Sequence, residues 1–173
     1  DKFTILSKYI YVFVYNMLVE LILMRIKPYK QKYFDNCVDI IESNTPKYIL
    51  PIEHLAFKNY LLKKNKTYFV LFNGFNLVAC GGYGINDSQT KAGLSWGLVD
   101  KKHHNQGIGS YLLRFRIENI KKKYPSVNIH LDTSQHTYKF FERFGFKVRK
   151  ISKDGYGEGL DMYDMILDEV SKK

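Results

Sequence analysis

"HHNQGIGSYLL", residues 103–113, sets two glycines around one isoleucine, with a glutamine before them and a broadly apolar run behind. The stretch ahead of it, "KAGLSWGLV" (91–99), reads as a strand. After the glycines, Ile108, Tyr111, Leu112 and Phe115 mark one helical face and Leu113, Ile117, Ile120 and Tyr124 a neighbouring one, until "YP" at 124–125 stops the helix. A strand, a short polar link, two glycines and a helix form a turn suited to a phosphate. Backbone N–H groups at a helix N-terminus lack partners and carry partial positive charge, and glycines let a phosphate approach without a Cβ clash. The turn is not GxxxxGK[ST], nor is it the GxGxxG dinucleotide fingerprint, which needs a third glycine and a parallel βαβ setting. An ordinary tight turn is the competing reading, and the surrounding sequence decides between the two.

Upstream, "MRIKPY" (24–29) alternates as a short strand and leads into a helix with Phe34, Cys37 or Val38, and Ile41 at helical spacing, ended by "SNTP" (43–46). Pro51 stands where a first-turn proline belongs, ahead of "IEHLAFKNYLL", with apolar residues at 52, 55, 56 and 60. "TYFVLF" (67–72), "LVACGGYGI" (77–85) and "KAGLSWGLV" are strands joined by Asn, Gly, Asp and Ser turns, an antiparallel meander. Downstream, "VNIHLD" (127–132) alternates as a strand, and "TSQHTYKFFERFGF" (133–146) reads as a short helix capped by Thr133 or Ser134 and closed by Gly145. "FKVRKI" (146–151) and "LDMYDMIL" (160–167) are the last strands, around a glycine-rich loop, "KDGYGEG". The order β-α-α-β-β-β-α-β-α-β-β describes a mixed α/β sheet.

The chain has 173 residues, 45% apolar and 25% charged, which is the composition of one globular domain. Its two cysteines, Cys37 and Cys80, form no CxxC pair, so neither a disulfide framework nor a cysteine zinc site is expected, and a reducing cytoplasm fits best. His130 and His136 stand six apart and His54 is distant, without metal-ligand spacing, and no metal is expected. The net charge of +10 comes from scattered lysines, with no helix-turn-helix, RRM or KH signature, so no nucleic-acid partner is expected.

The first 23 residues differ from the rest. "YIYVFVYNMLVELILM" (9–24) is almost continuously apolar but is shorter than the ~20 residues a spanning helix needs, and Glu20 interrupts it. No membrane span is expected, and a signal peptide would need a basic start and a small-residue cleavage site. Met24 reads as the natural start, with residues 1–23 an apolar extension that packs as an extra helix or contacts a partner chain, leaving room for a homodimer.

"LSWGLVDKKHHNQGIGSYLL" followed some thirty residues later by "YKFFERFGF" resembles the GNAT superfamily of acyl-CoA-dependent N-acetyltransferases. There the strand before the turn ends in an apolar residue, the turn is [QR]-x-x-G-x-[GA], and a later helix ends in FYxxxGF. The resemblance covers residues 24 to about 167 and implies a GNAT-like α/β fold: a mixed, mostly antiparallel central sheet of about seven strands flanked by about four helices. Residues 24–173 would form a single acyl-CoA N-acyltransferase domain. It implies acetyl-CoA as cosubstrate, its pyrophosphate held by the backbone of His104, Asn105, Gln106, Gly107, Ile108 and Gly109 with the Ser110 hydroxyl. Leu98 and Val99 would run beside the pantetheine and pair with its amides through their main chain, and strands splayed between 99 and 127 would admit the thioester.

Three positions depart from the family pattern: His104 replaces the usual Arg or Gln, Ser134 replaces a frequent Asn at the start of the later helix, and Phe141 replaces the tyrosine that often protonates the leaving thiolate. Because a free thiol has a pKa of ~8.5, loss of that acid slows the reaction without abolishing it. Tyr138, one turn earlier, is a candidate substitute. Candidates for the general base are His103, His104 and Asp100, or a water relayed through Asp132 or Ser134. Trp96 and Tyr83 are candidates for the cleft wall, and the loop with Tyr156 and Glu158 for the acceptor site. Asp100, Asp132, Glu158 and Asp161 would suit a cationic amine. The expected function is therefore acetyl transfer to the primary amine of a small molecule or peptide. A catalytically silent acyl-CoA-binding domain is the alternative that Phe141 raises, and a basic nucleic-acid-binding module, raised by the charge of +10, is the weaker one.

Overall fold

A computed structural model describes residues 8, 10–15, 24–64 and 66–168. The reading of 1–23 as an extension therefore falls largely outside the described residues. Those of the leader that are described, 8 and 10–15, are helical and exposed, with Tyr11 stacked on Tyr15.

The sheet has seven strands in the order β1-β2-β3-β4-β5-β7-β6. These are β1 (Met24–Pro28), β2 (Thr67–Asn73), β3 (Asn76–Ile85), β4 (Lys91–Val99), β5 (Asn128–Ser134), β6 (Lys147–Gly157) and β7 (Leu160–Leu167). Every pairing is antiparallel except β4 with β5. Beyond the helical residues of the leader, four helices follow in chain order among the described residues: α1 (Phe34–Ser43), α2 (Glu53–Leu62), α3 (Ile108–Lys123) and α4 (Tyr138–Glu142).

Strand alternation sends neighbouring residues of β2 to opposite faces, and each face has its own core. Tyr68 and Val70 pack with Cys80 and Leu98 under α1 (Cys37, Ile40, Ile41) and α2 (Phe57, Leu61). Leu71 packs with Val78 and Ala79 under Ile108 and Leu112 of α3, and farther along α3 Leu113 and Ile120 cover Ala92, Ile129, Leu131 and Met165. Cys37 and Cys80 are free and buried together, and their mutual hydrogen bond and burial push the Cys37 thiol well above its ordinary pKa.

Two segments differ from the sequence reading. Residues 133 and 134 extend β5 instead of starting a helix, because Thr133 and Ser134 pair with Tyr163 and Met162 of β7. That leaves α4 only five residues. "KDGYG" belongs to β6, which continues through an irregular stretch to Gly157, so the turn to β7 is only Glu158 and Gly159. The turn is held from outside by Gln135, whose Nε2 donates to Gly159 O at 2.8 Å and whose Oε1 accepts from Asp161 N at 2.9 Å.

The inward face of α2 also differs. Phe57 and Leu61 are fully buried, whereas Ile52, Leu55 and Leu62 are exposed. Phe57 lies between Trp96 and Tyr68, with ring centroids 5.1 and 6.5 Å away. Phe57→Ala is expected to lower unfolding free energy by about 3–5 kcal/mol. A urea titration followed by Trp96 fluorescence measures the loss, and a change below about 1 kcal/mol would contradict this packing.

Candidate active site

The parallel pairing of β4 with β5 spans only Lys91–Gly93 against Asn128–His130. Beyond it the strands separate, because β4 carries a bulge: Gly82 faces Ser95 and Cys80 faces Leu98, so Trp96 and Gly97 together oppose Gly81. A bulge bends its strand and ends regular pairing. Here it puts Trp96 at a φ of +44°, a left-handed conformation that a bulky residue adopts only when its surroundings impose it. Tyr68 Oη donates to Trp96 O at 2.8 Å, and Tyr60 Oη lies 3.0 Å from Ser95 Oγ. The edge of β4 facing β5 is thus left without a strand partner from Leu94 onward, and the gap opens into a cleft of about 1550 Å³.

The quoted turn stands at one end of that cleft. Gly107 has a φ of +80° and begins α3, and Ile108 is buried among Leu71, Val78 and Ala79, which anchors the turn to the sheet. The backbone N–H groups of residues 105–110 donate to no acceptor among the described residues. Asn105, Gly107, Gly109 and Ser110 line the cleft, and a Cβ placed on Gly107 would meet nothing within 4 Å. Unpaired donors on a helix N-terminus, with free space over them, are the setting in which an anion binds.

Side chains near the turn are placed differently from the sequence expectation. His104 Nε2 lies 3.0 Å from Val99 O, and the ring meets Tyr48 edge-on at 5.4 Å, so the imidazole is tied to the end of β4 instead of replacing the phosphate-binding Arg or Gln. Val99 O also accepts from Asn44 Nδ2 at 2.9 Å, so this carbonyl is already engaged and is not free for the pantetheine. Gln106 Nε2 turns back to Lys102 O at 3.1 Å, which leaves only its main chain for a ligand. His103 lines the cleft with Nδ1 3.4 Å from Asp100 Oδ2.

The other end of the cleft is acidic. Asp132 lines it from β5, and partial desolvation, together with Asp164 directly opposite on β7, raises its carboxyl above the ordinary range, while His130 acts the other way. Tyr156 reaches it from β6, its phenol pushed up chiefly by burial and further by the charges of Asp132 and Glu53. Glu53, on α2, completes the group; burial raises its carboxyl against the lowering effects of the Leu50 N–H, which donates to Oε2 at 2.8 Å, and of His54.

Glu53 was missed in the sequence, although it stands four residues before Phe57 and eight before Leu61, on the one face of α2 that is buried. Leu98, Trp96, Ser134 and Phe141 all line the cleft. Tyr138 does not: it stacks on Tyr163 at 4.5 Å, and Tyr83 is core, 3% exposed. Asp161 accepts from Asp154 N at 2.9 Å and stabilises the β6–β7 turn. Among the described residues no cluster of His, Cys, Asp and Glu is arranged for a metal, and no helix is long and apolar enough to cross a membrane.

The acetyltransferase (GNAT) domain family matches residues 41–169. The chain belongs to the GNAT acetyltransferase family. It is accordingly an acyltransferase, and the open mixed sheet described above is the GNAT fold. No curated protein matches the sequence. Among solved structures, the ribosomal-protein-S18-alanine N-acetyltransferase of Escherichia coli is similar at 18% identity and a TM-score of 0.70, over 83% of this chain and 92% of that one. An aminoglycoside 6'-N-acetyltransferase complexed with coenzyme A is similar at 13% identity and a TM-score of 0.70, over 86% and 99%. Arabidopsis thaliana Naa50, in complex with a bisubstrate analogue, is similar at 15% identity and a TM-score of 0.65, over 84% and 99%. At such identities these likenesses speak for the fold, and their different acceptors leave that of this chain to its own residues.

Proposed function

We propose that this GNAT protein transfers an acetyl group from acetyl-CoA to a primary amine by direct attack of the amine on the thioester. The observation that carries the reading is the row of unpaired N–H groups at 105–110, opening onto the unpartnered edge of β4. The turn would hold the pyrophosphate through these amides and the Ser110 hydroxyl. Main-chain groups of β4 between Leu94 and Leu98 would pair with the pantetheine amides as a half-strand does, with Val99 contributing its side chain only.

The acidic end supplies the chemistry of the acceptor. Glu53 and Asp132 attract an ammonium, and Asp132, with its raised pKa, is a better proton acceptor than an ordinary aspartate. The ammonium first gives one proton to water, the freed nitrogen lone pair attacks the carbonyl carbon, the C–N bond forms and the C–S bond breaks. The proton leaving nitrogen passes to Asp132, directly or through water, and the thiolate takes up a proton. Phe141 has no hydroxyl to give, whereas Tyr156 brings a phenol into the cleft, so we assign it the role of proton donor, a weak one because burial and the nearby carboxylates raise its pKa. The candidates thus narrow to Asp132 and Tyr156, with His103 beside the turn and Tyr138 outside the cleft.

Initial rates with acetyl-CoA and an amine panel test the reading. Tyr156→Phe is expected to lower kcat about tenfold, a modest loss because the thiolate is itself a tolerable leaving group, with the KM for acetyl-CoA unchanged. An unaltered kcat would remove Tyr156 from the mechanism. Residues 24–173 are proposed as one catalytic domain, and the paired free thiols fit a reducing compartment such as the cytoplasm.

A further inference from the structure

Arg116 is the one charged side chain among the described residues that is buried, at 4% exposure. It stands between Leu112 and Ile120 on the inward face of α3. Its guanidinium occupies the space over two glycines of adjacent strands: a Cβ on Gly81 would come within 3.0 Å of Nη1, and one on Gly97 within 2.7 Å of Nη2. Two side chains have thus been omitted from β3 and β4 where the fork lies.

Its partners do not account for its burial. Nη1 donates to Gly82 O at 3.3 Å, Nε is buried without an acceptor, and among the described residues no carboxylate lies within ion-pair distance. A buried ion without a counter-ion is destabilising, and desolvation lowers this guanidinium's pKa to about 10, still charged at neutral pH. The side chain lines the cleft with Gly97, Leu98, Leu112 and Leu131, beside the β4 bulge.

We propose that Arg116 receives a carboxylate carried by one of the two substrates, held at the β4 bulge next to the reacting centre. The inference rests on the acyl-transfer reading above and gives it a substrate class; with the carboxylate on the acyl chain, a dicarboxylic thioester takes the place of acetyl-CoA as donor. The carboxylate has two sources: the far end of a dicarboxylic acyl chain on CoA, or the amine acceptor. Glu53 and Asp132 line the other side of the sheet opening, since Ile129 and Leu131 of β5 face α3 and Asp132 between them and Ser134 faces away. They attract the acceptor's ammonium and repel a carboxylate there, which favours the acyl chain as the source.

The test is calorimetric titration of the full chain with CoA, butyryl-CoA and succinyl-CoA, the last two matched in chain length. It is paired with acetyl-CoA turnover of free amino acids against their amides. Succinyl-CoA is expected to bind at least about tenfold more tightly than butyryl-CoA, with the difference lost in Arg116→Met and the affinity for CoA unchanged. Equal thioester affinities with a tenfold preference for free amino acids over amides, again lost in Arg116→Met, would place the carboxylate on the acceptor. Absence of both preferences in the wild-type chain overturns the proposal, whether or not the variant folds. Arg116→Lys, which keeps the charge and loses the planar fork, is expected to restore only part of the preference. Failure of CoA itself to bind overturns the acyl-transfer reading, and the inference with it.

Discussion

Gly107→Asp is expected to weaken CoA binding at least about a hundredfold, because it sets a negative charge where six unpaired N–H groups await an anion, and like charges brought together cost several kcal/mol. Nothing lies within 4 Å of a Cβ at this position, so no packing is lost. The φ of +80° adds a strain of about 1–2 kcal/mol that any L-residue bears. Gly107→Ala carries the strain without the charge and separates the two. Trp96, the chain's one tryptophan, lines the cleft and reports binding through its fluorescence. If Gly107→Asp bound CoA as tightly as Gly107→Ala, the turn would not hold the phosphates.

Asp132→Asn is expected to lower kcat about 10²- to 10³-fold, the range for loss of a positioned general base, while the affinity for CoA stays unchanged. The sign of the pH dependence follows from its raised pKa. Asp132 acts only when ionised, so activity falls as pH drops through a value above the ordinary ~3.9 of an aspartate. Desolvation is the larger cause and Asp164 the second, so Asp164→Asn is expected to move the acid limb to lower pH without removing it. A pH–rate profile of both variants measures this. Full activity in Asp132→Asn would shift the role to Glu53 or to water.

The two active ends of the cleft were unequally legible in the sequence. The span from β4 to α3 could be placed to the residue, Val99 for the strand end and Ile108 for the helix start, because the period changes there across two glycines. Thr133 and Ser134 were ambiguous: a hydroxyl serves equally to cap a helix or to finish a strand, and pairing with β7, invisible locally, decides for the strand. In α2 apolar residues occur all round, so periodicity could not choose the face bearing Phe57 over the face bearing Leu55, and Glu53 was overlooked with it.

Arg116 left a signal that was not used. It interrupts the Leu112–Ile120 stripe at i+4 spacing, and an arginine within an apolar stripe has to be matched elsewhere, here by the glycines at 81 and 97. His104 shows the opposite limit. Its residue type suited a phosphate partner, and only the coordinates give its ring to Val99 O. Main-chain donors are set by the turn's backbone and could be read from glycine spacing, whereas a side chain's partner depends on segments distant in sequence.

Family membership establishes an acyltransferase. Whether this cleft holds a CoA thioester on the 105–110 turn is decided by calorimetric titration of acetyl-CoA into the full chain, with CoA as competitor. Saturable one-to-one binding that CoA displaces and that Gly107→Asp loses is the expected result. Absence of heat and of any Trp96 response at millimolar acetyl-CoA would contradict it.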